Sequence, residues 1–553
     1  MVSGSVFCQS ILSLVSGSVF CRFIRSLASG SLLCRFIRGL VLGLVHAWEG
    51  CLPHRFLRLL ARGLRAASRT WKRWWHSSAL VRFLFEREGL LSRIWPESFC
   101  CRALSLLLNL PVAVLHCLYV KLRPCCDSSL VCRFFFSLGE QVPLAIGWVM
   151  LLCMSIEYAY WSNAYSLIGF VLLLLLFLAG GMRRRSLRLD LAGLGPYWAL
   201  LFLAVCLSCP LSAYPELSWR YLPYYITCAL CVLLTVSSVE TAGQLERLAG
   251  FACLGVVGSS LWGIFQRVQG MVVVNVYFVD TRLNPDVPGR IYSFYDNPNA
   301  FAQMLVMLIP VGVALLLGSR RWYYRLTGLI SAGLGTAALI MTYSRSAWVG
   351  LAAAAVVFLF FWKRKLVPVL AVAGLACLPL LPEAILQRVL SIFDSNDSST
   401  ISRVPLMRAG VDMIKLHPLL GVGLGGDAVR QATQDLAVYA PNQARFTHTH
   451  NLYLQLWLEH GLLGIAAFVA GCWRALKTGA AAFQREDGAR STRLIVLGAT
   501  SALVGSLVSG LADYLFNYPR VMLIFWFSVS LLLAGAKLIQ RGERTKKITL
   551  RIG

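Results

Sequence analysis

The feature that most constrains this chain is a series of apolar runs, each about as long as a bilayer is thick. A helix needs roughly 20 apolar residues to cross the hydrocarbon core, and only helices and closed barrels satisfy their backbone hydrogen bonds there. The sequence therefore predicts an all-α polytopic membrane protein with about 12 transmembrane helices. The predicted spans are 142–159, 163–181, 190–209, 221–238, 247–266, 300–318, 326–343, 346–362, 366–384, 452–474, 493–514 and 520–538.

The charge distribution fits a membrane protein better than a nucleic-acid-binding protein. Only 14% of residues are charged, whereas a soluble chain carries about a quarter. The formal net charge is +27, but Lys and Arg lie in short segments between the apolar runs and in the first 135 residues. That pattern is typical of cytoplasmic loops and of contact with anionic lipid. We predict anionic lipid as the partner of the basic N-terminal region, and no nucleic acid.

Positive connectors set the expected orientation in the cytoplasmic (inner) membrane. With a cytoplasmic N-terminus, the Lys- and Arg-rich connectors and the C-terminal tail fall inside. Two long loops, 267–299 and 386–451, then face outward. Loops of this length are usually functional or disordered, and helix signals after Ser402 predict an ordered helical subdomain in the second.

Four regions follow from these patterns. Residues 1–53 are a low-complexity leader with a 13-residue repeat, beginning Val2-Ser3-Gly4-Ser5 and again at Val15, too short for a solenoid unit. Residues 54–138 place Arg at helical spacing beside Leu, Phe and Trp, which predicts helices lying on the membrane surface; a partly disordered leader is the alternative. Residues 139–540 form the transmembrane domain, and 541–553 a basic cytoplasmic tail.

The cysteines predict neither a metal site nor a disulfide framework. Of the 18 cysteines, 11 precede residue 154. Cys206/Cys209 and Cys228/Cys231 have C-x-x-C spacing but lie inside apolar runs without a His or acidic neighbour, as small apolar core residues do.

Two arginines border the predicted outer loops. Arg290 precedes Asn297-Pro298-Asn299, a turn and cap signature before an apolar helix, whose free N–H groups favour an anion. Arg345 lies in Thr342-Tyr343-Ser344-Arg345-Ser346, between two spans with almost no loop, where an unpaired charge is costly. Guanidinium binds phosphate oxygens through a planar fork, so the pair suits a pyrophosphate. Ordinary headgroup contact is the alternative for Arg290.

His450 closes the second outer loop and precedes Asn451, which we expect to help start the next helix. Its usual pKa of about 6.5 suits a general base. A structural cap is one alternative. A metal pair with His448 is another, but we expect the two rings to point apart, and no clustered Asp or Glu completes a ligand set.

These motifs resemble those of bacterial O-antigen ligases and the related O-antigen polymerases. The resemblance covers about residues 140–540 and rests on four stretches in the family's order. They are GRIYSFYDNPNAFA, TYSRSAWVGL, SRVPLMRAGVDMIKLHPLLGVGLGG, and His450-Asn451 followed after nine residues by Gly461-x-x-Gly464. Two departures are present: Val349 stands where ligases often have Leu four residues after the second arginine, and the first 135 residues match nothing in the family.

The resemblance implies a C-type-glycosyltransferase-like fold and a metal-independent, inverting membrane glycosyltransferase without a cofactor. Such an enzyme moves a glycan from undecaprenyl pyrophosphate to a hydroxyl of an acceptor glycan, glycolipid or protein. Arg290 and Arg345 would then bind the pyrophosphate, and His450 would activate the acceptor. Secondary candidates for substrate binding are Asn299, Arg403, Arg408, Asp513 and Arg520, with salt bridges that order the outer subdomain as the alternative role.

Two other functions remain open. Members of the same superfamily named as putative inorganic-carbon transporters have similar residues at 388–399 and 443–447. A bicarbonate transporter should carry polar groups at mid-membrane depth, and the spans are nearly free of them, with Asp513 expected near the end of its helix. A catalytically idle scaffold for envelope assembly is the third possibility.

Overall fold

The computed structural model describes residues 89–184, 186–272, 289–392, 398–436, 446–486 and 488–552. Helices and turns build this part of the chain, and no β-strand occurs in it, so the all-α prediction is confirmed. The predicted repeat leader and the surface helices before residue 89 lie outside the described residues, as does the middle of the first long loop.

The described chain folds into a bundle whose helices we number α1 to α20. They are α1 Leu90–Ile94, α2 Phe99–Ser128, α3 Leu130–Glu140, α4 Val142–Ser155, α5 Asn163–Arg183, α6 Leu191–Leu194, α7 Pro196–Leu211, α8 Pro215–Ser218, α9 Leu222–Ser238, α10 Ala242–Val268, α11 Pro298–Gly318, α12 Trp322–Met341, α13 Arg345–Lys363, α14 Leu366–Cys377, α15 Glu383–Leu390, α16 Ser398–Leu416, α17 Gly425–Asp435, α18 Leu452–Gln484, α19 Arg490–Ser509 and α20 Pro519–Ile552.

Nine helices of the described chain are long and apolar enough to cross a membrane, or ten if the bent pair α3 and α4 counts as one span. The long helices are α2, α5, α10, α11, α12, α13, α18, α19 and the first 24 residues of α20. The chain is therefore a multi-pass membrane protein, while the predicted count of 12 is not confirmed. α2 qualifies by length, although its apolar run was expected to lie at the interface.

Two predicted spans, 190–209 and 366–384, are shortened where proline or glycine interrupts them. Gly195 has a φ of +90° and Pro196 starts α7, six residues later than expected. A 3-10 turn containing Pro379 follows α14 at Cys377, whereas the span was predicted to reach residue 384. α9 agrees with its predicted span to within one residue, and α4 meets α3 at 71°. Proline cannot continue a helix beyond its first turn without losing a hydrogen bond.

α11 is the centre of the bundle. Nearly all of its side chains are buried, and it packs against α10, α12, α13, α19 and α20. Small residues allow the closest approaches: a Cβ on Gly350 of α13 would lie 2.7 Å from the Gly505 oxygen of α19. Without a hydrophobic drive between helices in lipid, such close packing is what holds them together.

α18 breaks at Gly461, and a turn from the second long loop fills the break. Gly461 has φ +66° and ψ −169°, so the helix ladder is interrupted there. Val422 N–H donates to Leu458 O (2.7 Å), and Leu462 N–H donates to Pro418 O (3.0 Å). The turn after His417 thereby anchors α16 and α17, which form a small core with α18 around Met413, Val422, Val429, Phe446 and Leu458.

We expect Gly461→Ala to destabilise the protein by about 3 kcal/mol or more, because a left-handed φ and a backbone clash act together. A Cβ there would lie 2.0 Å from Leu419 O. Thermal unfolding of the full chain in detergent measures the effect. Gly374→Ala in α14 is the matched control, since its Cβ would meet no atom within 4 Å. Equal melting temperatures for the two variants would contradict this account of the break.

Candidate functional site

Four segments meet at one end of the bundle, which we call the site end: 289–297, 342–344, 446–451 and 510–518. Ile291 N–H donates to Met341 O (3.3 Å), and Leu452 N–H donates to Gly510 O (2.8 Å). The Asn297 amide donates to the Tyr518 hydroxyl (2.5 Å). Each segment leads into a membrane helix, so helix N-termini converge where the predicted site residues lie.

The two predicted asparagine caps are present. Asn297 accepts a hydrogen bond from Asn299 N–H (2.7 Å) and starts α11. Asn451 accepts from Tyr453 N–H and Leu454 N–H (both 3.0 Å) and starts α18, and its own amide donates to Leu511 O (2.9 Å). These caps fix the backbone on which the arginine and histidine residues sit.

Arg290 is buried at the site end, with 4% of its surface exposed. Its Nε donates to Thr342 O (2.6 Å) and its Nη2 donates to Asn299 Oδ1 (2.5 Å). The Asn299 side chain therefore holds the guanidinium. Arg290 also ties the segment before α11 to the turn that carries Arg345, so both predicted arginines belong to one site.

The turn carrying Arg345 is clamped to α15 in both directions. Arg345 Nη1 donates to Ser391 O (2.7 Å) and Ser391 Oγ (3.0 Å). In return, Arg388 of α15 donates through Nε to Tyr343 O (3.3 Å), while the Tyr343 ring packs against Ala384 and Ile385. Arg388 thus joins the site, although the sequence analysis did not assign it.

His450 lies against Asp513. Nδ1 of His450 is 3.6 Å from Asp513 Oδ1, an ion-pair distance longer than a hydrogen bond. The prediction that Asp513 lies in a helix running to residue 514 is wrong. α19 ends at Ser509, Gly510 O accepts from Leu452 N–H, and Asp513 lies in the following segment. Its predicted role in substrate binding stays a prediction.

The rings of His448 and His450 are in edge-to-face contact, so the expectation that they point apart is wrong. Their centroids are 4.1 Å apart, because His450 has a φ of +52° and the backbone doubles back. His450 N–H donates to His448 Nδ1 (3.3 Å). In the part of the chain that the structure describes, no group of three His, Cys, Asp or Glu side chains is placed to hold a metal ion.

The charges of the site end act on one another. Burial above all, and then the positive charges of Arg388, Arg403 and Arg345, lower the pKa of Arg290 to about 9, while Asp513 opposes them. Burial raises the pKa of Asp513, but His450 and then Arg403 outweigh it and hold the pKa well below its usual range. Arg403 of α16 therefore acts on both Arg290 and Asp513.

Backbone strain is concentrated in the same segments. Among the described residues, the non-glycine positions with positive φ are Ser293 (55°), Tyr343 (51°) and His450 (52°). A bulky residue such as Tyr343 is rarely found there, and each such position costs of order 1–3 kcal/mol. Gln266 brackets Ser293 with two hydrogen bonds, of 2.8 Å and 3.1 Å. Strain held by surrounding contacts is typical of functional sites.

Two other predicted substrate-binding residues have different surroundings. Arg520 donates to the backbone oxygens of Cys153 (3.1 Å), Phe294 (3.0 Å) and Ile156. Its guanidinium also stacks on Trp161 and Tyr295. These contacts favour a role in ordering the structure over one in substrate binding.

Arg408 lies on the exposed face of α16 beside an open groove of about 430 Å³. Its substrate-binding role stays a prediction.

Two residues of the site end went unassigned in the sequence. Arg388 lies in the last turn of the short helix α15, within the stretch that resembles the transporter-named relatives, and a basic residue there could have indicated a site. Glu459 lies inside an apolar run, where a carboxylate is itself an indication of function. It is 1% exposed. The expectation that the membrane spans are nearly free of polar groups is therefore wrong at this position.

Comparison with protein families supports the resemblance seen in the motifs. Residues 330–469 match the family model described as O-antigen ligase. We call residues 330–469 the O-antigen ligase domain after this match. The match supports the O-antigen ligase and polymerase superfamily and, broadly, glycosyl transfer of this type. No curated protein matches the chain.

The O-antigen ligase domain contains most of the site but not all of it. Arg345, Arg388, Arg403, His450 and Glu459 lie within 330–469. Arg290 and Asp513 lie outside the match and reach it through Thr342 O and His450.

We expect acid to destabilise this protein partly through His448. Burial and then the charge of His450 lower the pKa of His448 to about 3, whereas the unfolded chain protonates this histidine below about pH 6.5. Its contribution to stability is therefore complete above pH 6.5 and is lost as the pH falls toward 3. The melting temperature of His448→Gln should fall less than that of the wild type between pH 7 and pH 5, with equal slopes between pH 7 and pH 8. Parallel curves over the whole range would contradict a neutral, buried His448.

Proposed function

We propose that this protein transfers a glycan from undecaprenyl pyrophosphate to an acceptor hydroxyl on the outer face of the inner membrane, by a metal-independent inverting reaction. The observation that best supports the proposal is the grouping of four arginines beside a His–Asp pair at one end of the bundle. The arginines suit a lipid-linked pyrophosphate, and the pair suits proton removal from a hydroxyl.

The arginine group is arranged as a receptor for an anion with several oxygens. Arg290, Arg345, Arg388 and Arg403 lie close enough for three of them to lower the pKa of the fourth. A pyrophosphate carries several charged oxygens, each of which can accept from a guanidinium group. Guanidinium groups remain effective partners for phosphate at partial burial. The positive ends of the helix dipoles at the starts of α11 and α13 add to the attraction.

The His450–Asp513 pair orients the imidazole for proton transfer. With Nδ1 facing Asp513 Oδ1, Nε2 is the nitrogen available to an acceptor hydroxyl. The Asp513 carboxylate stays ionised because its pKa is held low, so it stabilises the imidazolium that forms. General base catalysis of this kind contributes about 10² to 10⁴ in rate.

The proposed reaction is a single displacement at the anomeric carbon. The acceptor oxygen attacks from the face opposite the pyrophosphate, its proton passes to His450 Nε2, and a new C–O glycosidic bond forms. The anomeric bond to the pyrophosphate oxygen breaks at the same time. Undecaprenyl pyrophosphate leaves with the bonding electrons, and the arginines bind the charge that develops on it. Glycolipid core, growing glycan and protein hydroxyls present the same nucleophile, so the acceptor is the open part of the proposal.

We expect His450→Ala and Arg345→Ala each to lower glycan transfer by about 10² or more. The test expresses each variant in a host lacking its own ligase or polymerase and follows the lipid-linked glycan. Wild type should deplete the intermediate and both variants should accumulate it. Arg320→Ala, an exposed arginine next to α12, is the matched control and should behave as wild type. Transfer by His450→Ala at the wild-type rate would overturn the base assignment. Bicarbonate uptake that survives loss of His450, Arg290 and Arg345 would instead favour the alternative function, a bicarbonate transporter.

Arg388 gives a second prediction, because it lies in the arginine group and also holds the turn that carries Arg345. Arg388→Ala should raise the KM for the lipid-linked donor by about 10-fold, which is the effect of losing one charge-assisted contact of about 1.4 kcal/mol. The fall in kcat should be smaller. Initial rates at varied donor concentration measure both. An unchanged KM would remove Arg388 from the donor site.

A further inference from the structure

Glu459 is a buried carboxylate inside a membrane helix, and the reaction above does not use it. It lies in α18, two residues before the break at Gly461, and is 1% exposed. A carboxylate in such surroundings is costly unless it is hydrogen-bonded. The hydrogen bonds that it accepts therefore indicate its role in the protein.

Hydrogen-bond donors from three elements converge on this carboxylate. Gln455 Nε2 donates to Oε1 (2.8 Å), and the Tyr514 hydroxyl donates to the same oxygen (3.0 Å). The Tyr225 hydroxyl of α9 donates to Oε2 (3.4 Å). An ionised carboxylate is acceptor-only, so every donor aimed at it is held in one orientation.

The first contact leads to His450. Because Gln455 directs its amide nitrogen to Glu459, its Oε1 is free to accept from Thr449 N–H, at 2.8 Å. Thr449 is fully buried and directly precedes His450, whose φ of +52° is unfavourable without such support. Glu459 thus fixes, through one amide, the backbone that presents the imidazole.

The second contact leads to Asp513. Tyr514 is held at both ends: its hydroxyl donates to Glu459 Oε1 (3.0 Å) and its backbone N–H donates to Asp513 Oδ1 (2.9 Å). That oxygen is the one 3.6 Å from His450 Nδ1. Glu459 Oε1 therefore accepts from both Gln455, which holds the residue before His450, and Tyr514, the residue after Asp513.

We infer that Glu459 is a positioning residue that sets the His450–Asp513 geometry from within the membrane helix, an inference that rests on the proposed transferase function. It touches neither substrate nor reacting atoms. A misplacement of about 1 Å in a catalytic group can cost roughly 10²-fold in rate, so loss of Glu459 acts on kcat. The donor site around Arg290 uses other contacts, so the KM for the donor stays near the wild-type value.

The test uses the full chain in lipid nanodiscs with an undecaprenyl-pyrophosphate-linked oligosaccharide as donor and rough-type lipopolysaccharide core as acceptor. Glu459→Ala should lower kcat about 100-fold and the size-matched Glu459→Gln about 10-fold, with donor KM within about twofold. Tyr514→Phe, which removes one contact only, should lower kcat by about as much as Glu459→Gln. Thr235→Val is the control: it removes a buried hydroxyl bonded to its own helix and should leave kcat unchanged.

Hydrogen–deuterium exchange of residues 446–455 supplies a readout independent of activity. In Glu459→Gln the Thr449 amide should exchange faster than in wild type, whereas Thr235→Val should not change it. Unchanged exchange together with unchanged kcat in Glu459→Gln and Tyr514→Phe would overturn the inference, and so would a raised donor KM at constant kcat. If wild type transfers no glycan to lipopolysaccharide core, to a free glycan or to protein, the proposed function fails, and the exchange experiment still decides whether Glu459 holds the His450 segment.

Discussion

The site end depends on the break in α18 at Gly461. A continuous helix would pair Leu462 N–H with Leu458 O, and both groups would be lost to the rest of the molecule. Because Gly461 leaves the helical conformation, Leu458 O accepts from Val422 N–H and Leu462 N–H donates to Pro418 O. The break therefore anchors the turn between α16 and α17, and with it the helix that carries Arg403. Backbone groups at membrane depth must find partners within the protein, which makes this docking specific.

Anchoring that turn determines which charges meet. Arg403 acts on Arg290 and on Asp513 and His448, so the subdomain of α16 and α17 completes a site that the membrane helices only begin. The clamp between Arg345, Ser391, Arg388 and Tyr343 does the same for α15. The backbone strain at Ser293, Tyr343 and His450 lies in the same segments as these charged groups. Strained backbone and perturbed charged groups cluster at functional sites.

Local signals predicted much of this and tertiary contacts account for the rest. The caps at Asn297 and Asn451 act within three residues, so they could be predicted from the sequence alone. The spans interrupted by Pro196 and Pro379 were overestimated in length because apolar composition does not show where the hydrogen bonds of a helix are interrupted. Arg290 and Arg345 could be paired because both border helix ends. The pairing of His450 with Asp513 could not, since 63 residues separate them in sequence and α19 was expected to run past Asp513.

Two carboxylates near His450 have opposite surroundings, and the difference suggests separate roles. Asp513 lies in a segment between helices, facing a histidine and an arginine, and favours positive charge that forms beside it. Glu459 lies in the helix itself and accepts from neutral donors, among them one side-chain amide and two phenols, which it orders without exchanging charge. The surroundings of the two carboxylates are not interchangeable. A cation beside Glu459 would compete with Gln455 for the carboxylate, and a neutral phenol in place of His450 would leave Asp513 without a cation to stabilise. The geometry therefore separates the group that responds to the reaction from the group that holds it in place.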